Sequence, residues 1–167
     1  AASFAGSNKS LYPKKMFPDA IVRTTMITGF PYETEEYFND TLDMVKELKF
    51  DSLGAFTFSN EEDTAAFDMP QVPEEDAQRR YNKLMETQQN IVFEKNKNRI
   101  GKTYEVLVER YESLFKRYVG RSYMSAPDGV DGVVYIKTDE DLKIGSFVSV
   151  KINDVKGYDL IGEIIYN

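Results

Sequence analysis

The chain has no cysteine and no histidine among its 167 residues. These two absences remove more chemistry than any other feature of the composition. Without cysteine there is no disulfide framework, no thiolate nucleophile and no Cys/His metal site. Without histidine the commonest general base is missing as well. Carboxylates, Lys, Tyr, Ser and Thr are what remain for catalysis. No stretch approaches the roughly 20 apolar residues that a membrane-spanning helix needs. No basic-then-apolar leader with a small-residue cleavage site is visible either, so a soluble cytoplasmic protein without a membrane partner is expected.

Positive charge is also in short supply, with 21 Lys and Arg against 28 Asp and Glu, a net charge of −7. Affinity for nucleic acid comes mainly from cations that neutralise phosphates. The balance therefore argues against broad RNA or DNA binding and suits a basic protein partner, such as a ribosomal protein. What is plentiful is core-forming material: 41% apolar residues, including 11 Phe and 11 Tyr. That composition argues against disorder across the whole chain, and the length suits one ordinary domain or two small ones.

Residues 1–17 begin small and polar without periodicity and are read as a flexible leader. Residues 19–28, DAIVRTTMIT, are rich in β-branched side chains and stop at Gly29-Phe30-Pro31, a strand followed by a breaker. Thr34 is a good helix N-cap, with Glu35 and Glu36 in the first turn. Phe38, Leu42, Val45 and Leu48 then fall on one helical face, and residues 50–58, FDSLGAFTF, read as a second strand. Strand, helix, strand is a βαβ unit with parallel strands. One such unit cannot cover both faces of its sheet, so residues 18–72 look like part of a larger α/β domain.

Residues 59–71 form a polar loop, and Pro73 opens a helix whose face is Ala77, Tyr81, Leu84, Gln88 and Ile91. Gly101 ends it, giving a linker helix over 73–101. From residue 103 the period changes to 2. Strands are predicted at 103–112, 116–124, 132–137, 146–153 and 158–166, which suggests a small closed antiparallel barrel of the oligonucleotide/oligosaccharide-binding kind over 102–167. The overall fold class is α+β in two parts.

Three constellations could carry chemistry. Glu61, Glu62 and Asp63 could hold a hard cation, but without the glycine and ligand spacing of a calcium loop a solvated loop is the preferred reading. Thr24, Thr25 and Gly29 end a parallel strand, where α/β folds place ligands; from spacing alone a strand that simply packs and turns is the preferred reading. Arg121 and Tyr123 precede the Pro127-Asp128-Gly129 turn and would suit stacking and charge contact with RNA. Residues 103–167 carry eight cations against eleven anions, a balance of −3, which points to a basic protein partner instead.

Three segments resemble one family. RTTMITGFPYETEEYF (23–38) is similar to a late strand and helix of the radical-SAM barrel in methylthiotransferases. FDSLGAFTFSNEEDTAAFDMPQVPEE (50–75) resembles the next strand, its loop and the linker helix, and GRSYMSAPDGVDGVVYI (120–136) resembles part of a TRAM domain. Asn60-Glu61-Glu62 stands where the tRNA-modifying branch typically has an Arg-containing loop. The wording is therefore closer to the branch that methylthiolates the β-carbon of an aspartate in small-subunit ribosomal protein twelve. A tRNA-directed fragment with an RNA-binding TRAM domain, or a non-catalytic adaptor, are the alternatives.

The resemblance implies a parent enzyme that uses S-adenosylmethionine and two 4Fe–4S clusters, and this chain lacks the cysteines that would ligate them. It therefore reads as a C-terminal fragment, a partner to the missing N-terminal part of the same enzyme, inactive alone and with no stably bound cofactor expected. Thr25, Thr28 and Gly29 are implied as a wall of the S-adenosylmethionine pocket, and Arg121, Tyr123 and Asp128 as residues that dock the protein substrate. One departure stands out: the family loop usually reads Glu-Gly-Thr, whereas here Asp63 replaces the glycine, and Asp tolerates φ > 0 less readily than Gly.

Overall fold

β-Branched side chains at Thr24, Thr25, Ile27 and Thr28 favour extended backbone, and Arg23–Thr28 forms strand β1. The structure, a computed structural model, describes residues 16–17, 19–126 and 131–166. It divides into two units, Ala1–Ile91 and Val92–Asn167. In the first unit, helix α1 (Glu35–Leu48) starts as its cap chemistry requires: the Thr34 hydroxyl accepts from the Tyr37 N–H at 3.2 Å. It ends at Lys49, whose left-handed backbone (φ 48°) lets its N–H reach the Val45 carbonyl at 2.9 Å. Strand β2 (Ser52–Thr57) then pairs with β1 in parallel, Thr24 opposite Leu53 and Met26 opposite Ala55. Helix α2 (Glu74–Lys97) follows.

The expected apolar faces are the ones that pack. Phe38, Leu42 and Val45 of α1 meet Leu53 and Ala55 of β2 and Leu84 of α2, with Tyr81 and Ile91 alongside. Gln88 is buried on the same face of α2, and its amide donates to the Phe50 carbonyl at 3.0 Å. The loop after β2 places Asp63 at φ 63°, the left-handed conformation that Gly would take without strain.

In the second unit β3 (Thr103–Glu112), a 3-10 turn at Ser113–Phe115, β4 (Arg117–Arg121), β5 (Val134–Lys137), β6 (Phe147–Lys156) and β7 (Asp159–Ile164) close into a barrel in the order β3-β4-β5-β7-β6. The expectation of a wholly antiparallel barrel needs correction. Strands β5 and β7 pair in parallel, Val134 opposite Leu160 and Ile136 opposite Gly162, while the other four pairings are antiparallel. The reason is geometric: directions cannot alternate all the way round a ring with an odd number of strands, so five strands force one parallel pair. The turn expected at Pro127-Asp128-Gly129 lies outside the described residues, but its flanks pair as a hairpin does, Tyr118 opposite Ile136 and Gly120 opposite Val134.

Alternation places Val106, Val108, Tyr118, Val134, Ile136, Val150, Ile152 and Leu160 in the barrel core. The helix end joins this unit through polar contacts: the Asn96 amide donates to the Gly157 and Tyr158 carbonyls, each at 3.2 Å. Among the described residues no helix is long and apolar enough to cross a membrane. A tight approach inside the barrel is at Gly120, where an added Cβ would lie 2.3 Å from the Leu107 carbonyl oxygen and 2.7 Å from a Val106 methyl. Strands β3 and β4 could accept it only by separating. Gly120→Ala should therefore cost about 2–3 kcal/mol, read as a lower denaturation midpoint with an unchanged urea slope. A variant as stable as the parent would show that the barrel closes differently.

Candidate functional site

Strand β1 has two faces. Thr24, Met26 and Thr28 share the side of the buried Leu53 and Ala55, while Arg23, Thr25 and Ile27 lie opposite Ser52, Gly54 and Phe56 on the other. Thr28 is 2% exposed, and its hydroxyl donates to the Ala77 carbonyl of α2 at 3.1 Å. Gly29 has φ 77°, and an added Cβ there would sit 2.3 Å from the Ala77 Cβ. Both residues are thus engaged with α2. Thr25 alone of the implied pocket residues reaches the sheet face that the described residues leave uncovered, beside Gly54, where an added Cβ would meet nothing within 4 Å.

The turn after β1 is held by two residues that sequence reasoning missed. The Glu33 carboxylate accepts from the Gly29 N–H at 2.7 Å and from Arg80 of α2 at 2.9 Å. Arg80, 5% exposed, also donates to the Glu33 carbonyl at 2.9 Å and lies 5.9 Å from the Phe38 ring centroid. A carboxylate four residues beyond Gly29 was visible in the sequence, but its partner is 47 residues further on. Beside this pair, Arg79 bonds Glu35 at 2.8 Å and Asp76 at 3.1 Å. The Arg79 hydrogen bond holds the Glu35 carboxyl below the ordinary glutamate range.

On the barrel, Arg121 donates to Glu109 of β3 at 2.7 Å. Tyr123 is 64% exposed, and its ring centroid is 6.5 Å from that of Tyr104. Asp128 lies outside the described residues. The structure adds a cluster that was not foreseen, with Arg117 at its centre. Its guanidinium is 3.5 Å from the Tyr135 ring centroid, 4.7 Å from that of Phe115, and 2.8 Å from Glu112. Arg110 reaches the other Glu112 oxygen at 3.3 Å. All three arginines of the barrel strands therefore carry carboxylate partners. No group of His, Cys, Asp or Glu able to hold a metal occurs among the described residues.

Residues 100–165 match the family model described as TRAM domain. Over 153 residues the chain is 49% identical to the ribosomal protein uS12 methylthiotransferase RimO of Crocosphaera subtropica, covering 91% of this chain and 34% of that protein. Nine-tenths of the chain is thus similar to one part of RimO proteins. Its likeness to the RimO of Clostridioides difficile is 47% over 160 residues, covering 95% of this chain and 36% of that one. To the RimO of Desulfitobacterium hafniense it is 48% over 154 residues, covering 91% and 34%. The chain spans about a third of the length of the curated RimO relatives it matches.

Two expectations follow from these ion pairs. Removing Arg80 leaves the Glu33 carboxylate in a largely buried site without its counter-ion, so Arg80→Ala should destabilise the first unit by about 3 kcal/mol. Arg80→Lys should recover only part of this, because it loses the guanidinium fork that meets the Glu33 carbonyl and carboxylate together. Equilibrium unfolding would measure both, and a neutral Arg80→Ala would remove the clamp from the account.

Glu112 supplies the pH test. A hydrogen bond from Arg117 lowers its carboxyl pKa, outweighing desolvation. A depressed carboxylate adds stability above its unfolded pKa and loses it as pH falls through the folded value. The stability gap between the parent and Glu112→Gln should thus be open at neutral pH and close below about pH 4. A gap of constant size from pH 7 to pH 3 would contradict this.

Proposed function

We propose that this chain forms part of a methylthiotransferase acting on ribosomal protein uS12, the substrate named for its RimO relatives, and that its TRAM barrel docks that substrate. In this reading residues 18–72 belong to a radical-SAM α/β barrel, 73–101 to a linker helix and 102–167 to the TRAM domain. When bound, S-adenosylmethionine and two 4Fe–4S clusters would supply the radical and the sulfur chemistry at the aspartate β-carbon. Cluster ligation does not fit this chain, which has no cysteine, so thiolates from elsewhere in the enzyme would have to provide it.

A contribution to the S-adenosylmethionine pocket does fit, at one place. Thr25 offers a hydroxyl on the open face of the β1–β2 sheet, and Gly54 beside it leaves room for a bound group. Thr28 and Gly29 would act indirectly, by fixing the end of β1 against Ala77. The Glu33–Arg80 pair would hold the following turn still.

The observation that carries the docking reading is the neutralisation of the barrel's arginines. Arg110 and Arg117 share Glu112, and Arg121 is paired with Glu109. A phosphate backbone would meet a carboxylate already beside each one, which offsets the charge that attracts it. A lysine-rich protein meets no such obstacle, since every carboxylate keeps lone pairs to offer. Arg121 and Tyr123, together with Asp128, are the residues assigned to substrate contact.

Binding of the purified chain to uS12 and to tRNA, each at two salt concentrations, tests the reading. Saturable binding to uS12 and only weak binding to tRNA is the expected result. Tight tRNA binding that falls steeply with salt would overturn it in favour of a tRNA-modifying enzyme. Failure to bind either would favour an adaptor that caps the catalytic barrel without a ligand of its own.

A further inference from the structure

We infer that the outward face of β6, β3 and β4 around Phe147 and Leu107 is a docking surface for an extended, lysine- or arginine-rich segment of a protein partner. This rests on the reading that the barrel docks a basic protein, and it names the surface that does so. Val106, Val108, Val150 and Ile152 fill the barrel core. Side chains alternate along a strand, so Glu105 and Leu107 on β3, and Phe147, Ser149 and Lys151 on β6, stand on the outside. Register places Leu107 between Phe147 on one side and Arg121 on the other, with Glu105 opposite Ser149. Phe147 is 64% exposed, and Ile144, just before β6, is 51% exposed. Phe147 and Leu107 make an apolar pair in register on this face, apart from the exposed Leu114 and Phe115 of the 3-10 turn.

Charge selects the occupant. Glu105 is exposed, lies diagonally beside Phe147, and has no ion-pair partner among the described residues. Glu109 gives one oxygen to the Arg121 Nε–H, so the other is open. Lys151, the cation on this side of β6, stands opposite Glu163 in register. An incoming Lys or Arg finds Glu105 and Glu109 at the edges of this pair, and an apolar side chain two residues along covers Phe147 and Leu107. A nucleic-acid backbone would bring phosphates against both carboxylates. A second copy of this chain would bring like charge against like.

The test titrates the 167-residue chain with purified uS12 as the probe and compares Phe147→Ser and Glu105→Lys with the parent. Both positions are exposed, so each variant should keep the parent's melting temperature. Phe147→Ser is expected to weaken binding about tenfold, as loss of an aromatic anchor does. Glu105→Lys should weaken it severalfold, and more at low salt than at high salt. Parent binding that neither variant changes would overturn this surface while leaving the docking reading intact. Absence of parent binding would overturn the docking reading and the surface with it. Binding of single-stranded RNA in place of uS12, lost in Phe147→Ser, would assign the face to nucleic acid and overturn the proposal.

Discussion

Arginine–glutamate pairing governs both units of this chain, and it does so with opposite consequences. In the first unit, Arg80 of α2 is buried against Glu33 at 2.9 Å, and Glu33 in turn binds the Gly29 N–H. A buried charge survives only if it is paired and hydrogen-bonded, so the turn after β1, the start of α1 and the first turns of α2 are tied at one point. In the second unit the pairs lie nearer the surface, where each stabilises little. There Glu109 and Glu112 place a negative charge beside each of the three guanidinium groups.

The two units also differ in how complete their sheets are. The barrel closes, and closure leaves no strand edge unpaired. Among the described residues the β1–β2 sheet has helices against one face only, and Ile27 and Phe56 stand exposed in register on the other. A parallel sheet is normally covered on both faces. Thr25 and Gly54 lie side by side on that exposed face.

Much of the local structure was legible. Thr34 as N-cap with Glu35 and Glu36 after it, the apolar face of α1, Pro73 before α2 and the change of period near residue 103 all rest on neighbours a few positions apart. The implied site residues were legible as residue types and less so as environments. Thr25 and Thr28 look alike in the sequence, yet one lies on the open face and the other is 2% exposed against Ala77. Alternation along a strand separates odd from even positions, but it does not say which face a distant helix will cover.

By itself, then, the sequence determined the elements, the acidic balance, the absence of thiolate and imidazole chemistry, and the family wording of three segments. All of these are properties of composition or of short-range order. Only the tertiary structure decided that β5 and β7 run in parallel, that Glu33 finds Arg80 across 47 residues, and that the barrel's arginines are already paired. Each depends on residues far apart in the chain being brought together. Ring closure forces the parallel pair, and burial makes the pairing of Arg80 obligatory, whereas no local pattern encodes either partner.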